Sequence, residues 1–286
     1  MEQFCQRLGL SAEQTSVLLS TVSTLEAPLG DAVERYLADT KLTAPDAAAL
    51  LYGVREDIHP YTKNAAFVLS CFFRDRESFI AECGEEIFYD TARDLLYKLQ
   101  ECERRYGIVG SSAISWHNLL LRRSILTLGR LQFHTVAFPF DDYRGVSHSV
   151  KKGDTIIKMH IPSSGKLREE DCLDSYRRAY RYFRPQFDSD VIPFACFSWL
   201  LAPELRVELA GGGIAAFSSH FTIFRVSDIP ENGDLWRVFG KDYTDPREMP
   251  RGTRLQAVMA DRVARGEAMQ CGYGLFAHDG ERVLLF

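Results

Sequence analysis

The chain lacks the two features that most directly indicate a membrane or nucleic-acid partner, a long apolar run and an excess of basic charge. No stretch approaches the roughly 18 apolar residues that a membrane-spanning helix needs. The 286 residues carry a net charge of −5, and neither half of the chain is basic. The sequence therefore predicts neither a membrane segment nor a nucleic-acid-binding surface.

Paired cysteines are also absent. The seven cysteines form no C-x-x-C motif and are odd in number, and most stand among apolar residues, as Cys196 does between Ala195 and Phe197. We therefore interpret them as reduced core residues of a cytoplasmic protein. The first residues contain no basic segment followed by a long apolar one, so no export signal is expected either.

Several catalytic motifs are missing as well. The histidines are scattered, with no H-E-x-x-H motif and no Cys/His spacing suited to zinc, so no metal site is expected. The chain has no G-x-S-x-G motif of serine hydrolases, no P-loop and no G-x-G-x-x-G. The run Gly211-Gly212-Gly213 has no Lys-Ser/Thr behind it and precedes a strand-like segment, so it is interpreted as a turn.

The first 130 residues do contain strong helical periodicity. Ser11 and Thr43 each open a capping pattern at the start of a predicted helix. Between residues 86 and 106, apolar side chains recur every three or four positions, which predicts one long amphipathic helix. A further helix is expected over about 111–129, and no strand is expected before residue 130.

After residue 130 the pattern changes to short strand-like runs that alternate with helices. The predicted strands are residues 131–138, 154–161, 192–200, 214–226, 235–239, 272–276 and 283–286. The predicted helices are residues 168–184, 203–209 and 253–264. The fold class is therefore expected to be α+β, with an all-helical domain over 1–130 and a mixed α/β domain over 131–286.

Five segments between residues 128 and 240 are distinctive when taken together: Leu128–Phe133, His160–Leu167, Asp174–Tyr176, Phe194–Leu201 and Arg237–Gly240. In this combination the chain resembles the bacterial acyltransferase-domain proteins, which join a helical N-acyltransferase N-terminal domain to a GNAT-like C-terminal domain. The resemblance implies that an acyl group is transferred from acyl-CoA to a small-molecule amine. Acetyl-CoA is the expected acyl-CoA. It implies no particular acceptor.

A GNAT enzyme binds the pyrophosphate of acyl-CoA at a loop of the pattern Q/R-x-x-G-x-G/A that joins a strand to a helix. Backbone N–H groups and the helix dipole supply the attraction. The resemblance assigns this role to Ser163, Ser164, Gly165, Lys166 and Leu167. Pro162 removes one donor, and the acidic residues 169–171 in the first helical turn repel a phosphate. An ordinary acid-capped turn between strand and helix is therefore the alternative.

Acylation of an amine also needs a base for the amine and a proton donor for the leaving thiolate. His160 stands at the end of a predicted strand, just before the loop, and is the candidate base, with a structural histidine as the alternative. Ser198, at the end of the strand 192–200, is a candidate polar group of the cleft or a plain strand-end serine. Tyr243 is the candidate donor to the thiolate.

The predicted function is thus acyl transfer from acyl-CoA to an amine. The main alternative is a non-catalytic protein of GNAT shape that binds a ligand or another protein, which the acidic turn 169–171 and the single loop glycine Gly165 favour. A structural protein that pairs through its helical half is the third possibility. The sequence leaves the acceptor, the acyl group and the oligomeric state open.

Overall fold

The computed structural model describes all 286 residues, and the chain divides into two compact units, Met1–Thr127 and Leu128–Phe286. The first unit contains eight helices: α1 (Glu2–Leu8), α2 (Ala12–Thr24), α3 (Glu26–Ala38), α4 (Ala44–Ala49), α5 (Pro60–Cys83), α6 (Glu85–Ala92), α7 (Asp94–Tyr106) and α8 (Ile114–Leu121). None of the helices of the chain is both long and apolar enough to cross a membrane.

Two helices of the first unit begin at the capping residues that the sequence indicates. The Ser11 hydroxyl accepts the N–H of Gln14, whose side chain accepts the N–H of Ser11 in return, which is a complete capping box. The Thr43 hydroxyl accepts the N–H of Asp46 at the start of α4. These bonds satisfy backbone donors that the first helical turn leaves without a partner, so both predicted helix starts are confirmed.

Two other helix predictions were wrong in extent. The segment 86–106 forms two helices that meet at Arg93, which keeps helical angles and so preserves the apolar spacing across the break. The last predicted helix ends at Leu121 because Arg123 adopts a left-handed φ of 56°. The Arg123 guanidinium donates to Asp75 at 2.6 Å and to Ser78 at 2.8 Å, contacts that hold this backbone conformation in place.

The second unit is built on a mixed β-sheet. The strands are β1 (Leu126–Leu128), β2 (Leu131–Ala137), β3 (Tyr143–Arg144), β4 (Ser149–Val150), β5 (Thr155–His160), β6 (Ile192–Ser198), β7 (Thr222–Asp228), β8 (Gln270–His278) and β9 (Val283–Leu284). Strand β1 spans the boundary between the units, so the expectation of no strand before residue 130 was wrong. The main sheet has the order β1-β2-β5-β6-β8-β7, with β9 beside β8, and β3 pairs with β4 separately. Strands β5 and β6 run parallel, whereas β5 is antiparallel to β2 and β6 to β8.

Five helices accompany this sheet: α9 (Glu169–Phe183), α10 (Pro203–Glu208), α11 (Gly213–Ser219), α12 (Trp236–Phe239) and α13 (Arg254–Ala264). Helix α9 packs on one face of the sheet through buried Tyr176, whose ring centroid lies 4.8 Å from that of Phe276. A helical first unit followed by a mixed sheet with helices confirms the predicted α+β class.

Two strand predictions in the second unit were wrong. Residues 214–226 form α11 followed by β7, and residues 235–239 contain the short helix α12. A short apolar run has the same composition in a buried helix as in a buried strand. The decisive contacts are tertiary: Ile214 and Leu235 pack with Phe239 in an apolar cluster that includes Met259 of α13.

Candidate functional site

The parallel strands β5 and β6 separate at their C-terminal ends. Their pairing covers Ile157 to Met159 on β5 and ends at the pair Met159–Cys196. Beyond that pair, β5 stays paired with β2 up to His160, and β6 stays paired with β8 up to Ser198. The two strands therefore diverge at the point where β5 enters the loop that leads to α9.

The loop between β5 and α9 is held by an arginine from another part of the second unit. The Arg130 guanidinium donates to the carbonyl oxygens of Pro162 at 3.1 Å, Gly165 at 2.8 Å and Lys166 at 3.4 Å. The backbone N–H of Arg130 donates to the buried Ser175 hydroxyl on α9 at 2.7 Å. One residue thus ties the loop both to the start of β2 and to the helix that follows the loop.

This arrangement determines the direction of the loop amides. A trans peptide unit points its C=O and its N–H to opposite sides, and the chain has no cis peptide bond. Because Arg130 binds the carbonyls of Gly165 and Lys166, the N–H groups of Lys166 and Leu167 point away from the guanidinium. Neither of these two amides donates to another group of the protein, so both are available to an anion.

Two glycines allow the loop its path. Gly165 has a φ of +98°, a left-handed conformation that residues with a Cβ rarely adopt. Gly213, at the start of α11, approaches the loop so closely that a Cβ there would lie 2.2 Å from the Leu167 carbonyl oxygen. The glycine run 211–213 is therefore a close neighbour of the loop, which its interpretation as a simple turn did not predict.

A cleft of about 570 Å³ opens between the end of this loop and the glycine run. It is lined by Leu167, Arg168, Glu169, Glu170, Arg206, Ala210, Gly211, Gly212, Gly213, Ala215 and Ala216. Arg168 and Arg206 are exposed and make no ion pair within the protein, and the same is true of Lys166 on the loop itself. Cleft and loop together therefore offer three cationic side chains to a ligand.

The acidic first turn of α9 does not close the loop amides. No side chain caps the start of α9, and none of the carboxylates of residues 169–171 accepts a hydrogen bond from the loop. The Glu169 carboxylate instead lies 3.7 Å from Nε2 of His220, whose Nδ1 is 3.2 Å from the hydroxyl of Tyr176. Burial lowers the pKa of His220, while the nearby Glu169 opposes that shift. The acidic side chains of residues 169–171 therefore lie beside the cleft and form no hydrogen bond with the backbone N–H groups of Lys166 and Leu167.

A family model named for the GNAT-like C-terminal domain matches residues 125–276, more than half of the chain. The chain belongs to this family. The predicted family resemblance is therefore confirmed, and the loop, helix α9 and the diverging strands all lie within the matched GNAT-like segment.

Solved structures of acyltransferases are similar to the whole chain. One is an acyltransferase structure with decanoyl-CoA and teicoplanin, which is 18% identical in sequence and superposes with a TM-score of 0.74. The alignment covers 96% of this chain and 86% of the other. A structure with CoA and 10C-teicoplanin shares 20% identity and a TM-score of 0.72 at the same coverage. At such low identity the likeness shows a common fold. No curated protein sequence matches the chain.

Within the GNAT-like segment, His160 is bonded to a second histidine. Its Nε2 lies 3.1 Å from Nε2 of His134 on the neighbouring strand, so one imidazole donates to the other. Burial, together with the nearby His134 and Lys158, lowers the pKa of His160 to about 3, and burial and Lys158 lower that of His134 to about 4. Both rings are neutral at pH 7. Such a pair can relay a proton but holds one only weakly.

The other two candidate catalytic residues lie in different surroundings. The Ser198 hydroxyl accepts the N–H of Leu200 at 3.2 Å and so caps the short turn after β6. Tyr243 packs near Phe239, with 5.9 Å between ring centroids, in the apolar cluster of α12 and α13. No hydrogen bond joins His160, Ser198 and Tyr243 to one another.

The sequence analysis missed the groups that shape the site from a distance. Arg130 was part of a recognised segment, but nothing in its local pattern shows that it binds a loop 35 residues away. Arg254 plays the same part for the opposite wall of the cleft, because it donates to the carbonyl oxygens of Glu208 and Ala210 at 2.6 and 2.8 Å. The only available signal was the glycine run 211–213, whose flexibility suits a close backbone approach.

Proposed function

We propose that this protein is an acyltransferase that moves an acyl group from acyl-CoA to an amine of a small molecule. The observation that carries the proposal is the divergence of β5 and β6 directly before the loop 161–168 and helix α9. A gap between parallel strands gives the pantetheine arm and the thioester a path into the sheet. The loop and helix start beside that gap give the pyrophosphate a set of amide donors.

In this proposal the loop Ser163, Ser164, Gly165, Lys166 and Leu167 holds the pyrophosphate. The amides of Lys166 and Leu167 point away from Arg130 and supply donors, and the Lys166 ammonium supplies charge. Arg168 and Arg206 extend the positive charge along the cleft. These contacts offset the repulsion from Glu169 and Glu170, and the Glu169 carboxylate lies beside His220.

The chemical step is a direct attack. The amine nitrogen bonds to the thioester carbon, the C–S bond breaks, and the thiolate of CoA leaves. His160, hydrogen-bonded to His134, relays the proton of the amine towards solvent. Ser198 retains its hydroxyl proton for donation near the cleft, and Tyr243 is the predicted donor to the thiolate.

The acyl length and the acceptor form the finer part of the proposal. Acetyl-CoA is the donor that the sequence resemblance suggested, whereas similar structures hold octanoyl-CoA and decanoyl-CoA. Two other similar structures contain teicoplanin, a glycopeptide, and 10C-teicoplanin. We therefore propose a polar small molecule with a primary amine as the acceptor, and a cytoplasmic location consistent with seven free cysteines.

Release of CoA thiol tests this function. The protein is mixed with acetyl-, octanoyl- or decanoyl-CoA and with a panel of primary amines that includes aminosugars and glycopeptides. We expect thiol release that depends on one class of amine and a product heavier by the acyl group. Acyl-CoA binding without thiol release for any amine would support the non-catalytic alternative instead.

A further inference from the structure

Lys158 is a half-buried lysine without an acidic partner. It lies on β5 opposite His134 of β2 and Ala195 of β6. Its Nζ is 4.9 Å from the ring centroid of Phe197, and no carboxylate pairs with it. A half-buried ammonium without a counter-charge costs free energy, so Lys158 does not serve as a stabilising ion pair.

The Phe197 ring attracts the Lys158 ammonium through its π face, but no anionic side chain neutralises the charge. Two neutral histidines, His134 and His160, lie on the same face of the sheet as Lys158. The thiols of Cys196 and Cys271 are close enough to influence its pKa. Arg225, another cation, lies on this face over the rings of Phe140 and Tyr273. Burial lowers the pKa of the Lys158 amine, so more of it is uncharged and nucleophilic at a given pH.

Its position on the strand brings Lys158 close to the proposed thioester. The pairing of β5 with β6 ends one residue later, at Met159, and the proposed acyl-CoA arm enters between the strands at that end. The Lys158 side chain lies on the face opposite to helix α9. Tyr176 of α9 packs on Phe194, which pairs with Ile157, and neighbouring residues of a strand point to opposite faces. That face carries the half-buried aromatic rings of Phe197 and Tyr273. It also carries an apolar cluster in which Ile156 and Ala195 are fully buried.

We propose that Lys158 is a self-acylation site, at which the bound acyl-CoA acylates the chain when no acceptor amine is present. The inference rests on the proposed function. The uncharged Nζ attacks the thioester carbon, an amide bond forms, the C–S bond breaks and the CoA thiolate leaves. The surplus proton of the nitrogen passes to the thiolate or to solvent. The product is a neutral acyl-lysine beside the Phe197 ring.

Peptide mass mapping tests the proposal. The full chain is incubated with octanoyl-CoA, and separately with acetyl-CoA, at about pH 8 and without amine. Lys151 and Lys152, both exposed just before β5, report the background rate of uncatalysed acylation. We expect Lys158 to be acylated at least about tenfold faster than either, although it is less accessible. Acylation of Lys158 at or below the background rate would overturn the proposal.

Two further arms separate this inference from the proposed function. Excess CoA competes for the bound donor, so it should suppress acylation of Lys158 and leave Lys151 and Lys152 unchanged. Undiminished acylation of Lys158 would show that free acyl-CoA reacts, which contradicts the proposal. If calorimetry detects acyl-CoA binding while Lys158 stays unmodified, self-acylation is wrong and the proposed function stands. If neither binding nor acylation occurs, both fail.

Discussion

The Arg130 guanidinium donates a hydrogen bond of 2.8 Å to the carbonyl oxygen of Gly165. This bond turns the carbonyl side of the loop inward and leaves the N–H of Lys166 directed to the opposite side. Arg130 is therefore a positioning residue: it does not bind the proposed phosphate itself but orients the amides that do. Arg254 holds the facing wall in the same way, through the carbonyl of Ala210.

Replacing Arg130 should weaken acyl-CoA binding. Arg130→Ala removes three bonds to loop carbonyls, and we expect affinity to fall about tenfold or more, since charge-assisted bonds are worth about 1.5–3 kcal/mol. Arg130→Lys supplies only one flexible ammonium donor, so its acyl-CoA affinity should lie between those of Arg130→Ala and the wild type. Calorimetry measures both, with Arg144→Ala, an exposed hairpin arginine, as control. Equal affinities of Arg130→Ala and the wild type would show that the loop is oriented without it.

Ser175 should contribute to stability rather than to binding alone. Its buried hydroxyl accepts from the N–H of Arg130 and donates to the carbonyl of Asp171, so Ser175→Ala leaves a partly buried amide without a partner. We expect a loss of about 1–3 kcal/mol in the free energy of unfolding, measured by urea denaturation. Ser219→Ala, at an exposed hydroxyl, is the control. A loss no larger than that of the control would contradict this role.

The buried histidine of the first unit predicts sensitivity to acid. Burial lowers the pKa of His117 to about 3, and its Nε2 lies 3.0 Å from the Ser111 hydroxyl. Below about pH 6.5 the unfolded chain binds a proton at His117, whereas the folded protein binds it only near pH 3. The free energy of unfolding therefore decreases as the pH falls through this window. The titration of His117 alone should lower the free energy of unfolding by about 2 kcal/mol between pH 7 and pH 5.

Urea denaturation at these two pH values checks the sign. His117→Asn should lose that part of the pH dependence, whereas Leu120→Ala should lower stability equally at both pH values because it removes only buried apolar volume. The same loss between pH 7 and pH 5 in His117→Asn as in the wild type would show that His117 is protonated without cost in the fold.

The cationic side chains of the loop and cleft should act on binding in a salt-dependent way. Lys166 and Arg206 have no partner in the protein, so Lys166→Ala and Arg206→Ala should each weaken acyl-CoA binding by about 1–2 kcal/mol at low salt. The difference from wild type should shrink at high salt, because exposed charges are screened. Lys151→Ala serves as control. Unchanged affinity in both variants would place the phosphates elsewhere.

The sequence was informative where the signal is local. The capping residues Ser11 and Thr43, the helix α9 and the strands β5 and β6 were all predicted, because periodicity and capping depend on neighbours in the chain. The first part of the segment 214–226 was misread as a strand, because its helical form depends on contacts distant in sequence, such as that of Ile214 with the cluster around Met259.

The sequence located the candidate loop between a strand and a helix, and its role as an acyl-CoA site stays a prediction. The loop around Gly165 could be recognised from one glycine between a strand and a helix. The low pKa of His160 could not be predicted, because it depends on burial and on His134, 26 residues away. The same holds for the roles proposed for Arg130 and Lys158, which follow from three-dimensional neighbours rather than from residue type.

Titration calorimetry with acyl-CoA on a pair of Gly165 variants tests the central claim most directly. Gly165→Gln and Gly165→Glu share the strain of a side chain at a φ of +98°, and open space surrounds the site, so they differ mainly in charge. We expect the wild type to bind, Gly165→Gln to bind more weakly, and Gly165→Glu to bind at least about tenfold more weakly than Gly165→Gln. Equal affinity of the two variants, or no binding by the wild type at millimolar acyl-CoA, would contradict an acyl-CoA site at this loop.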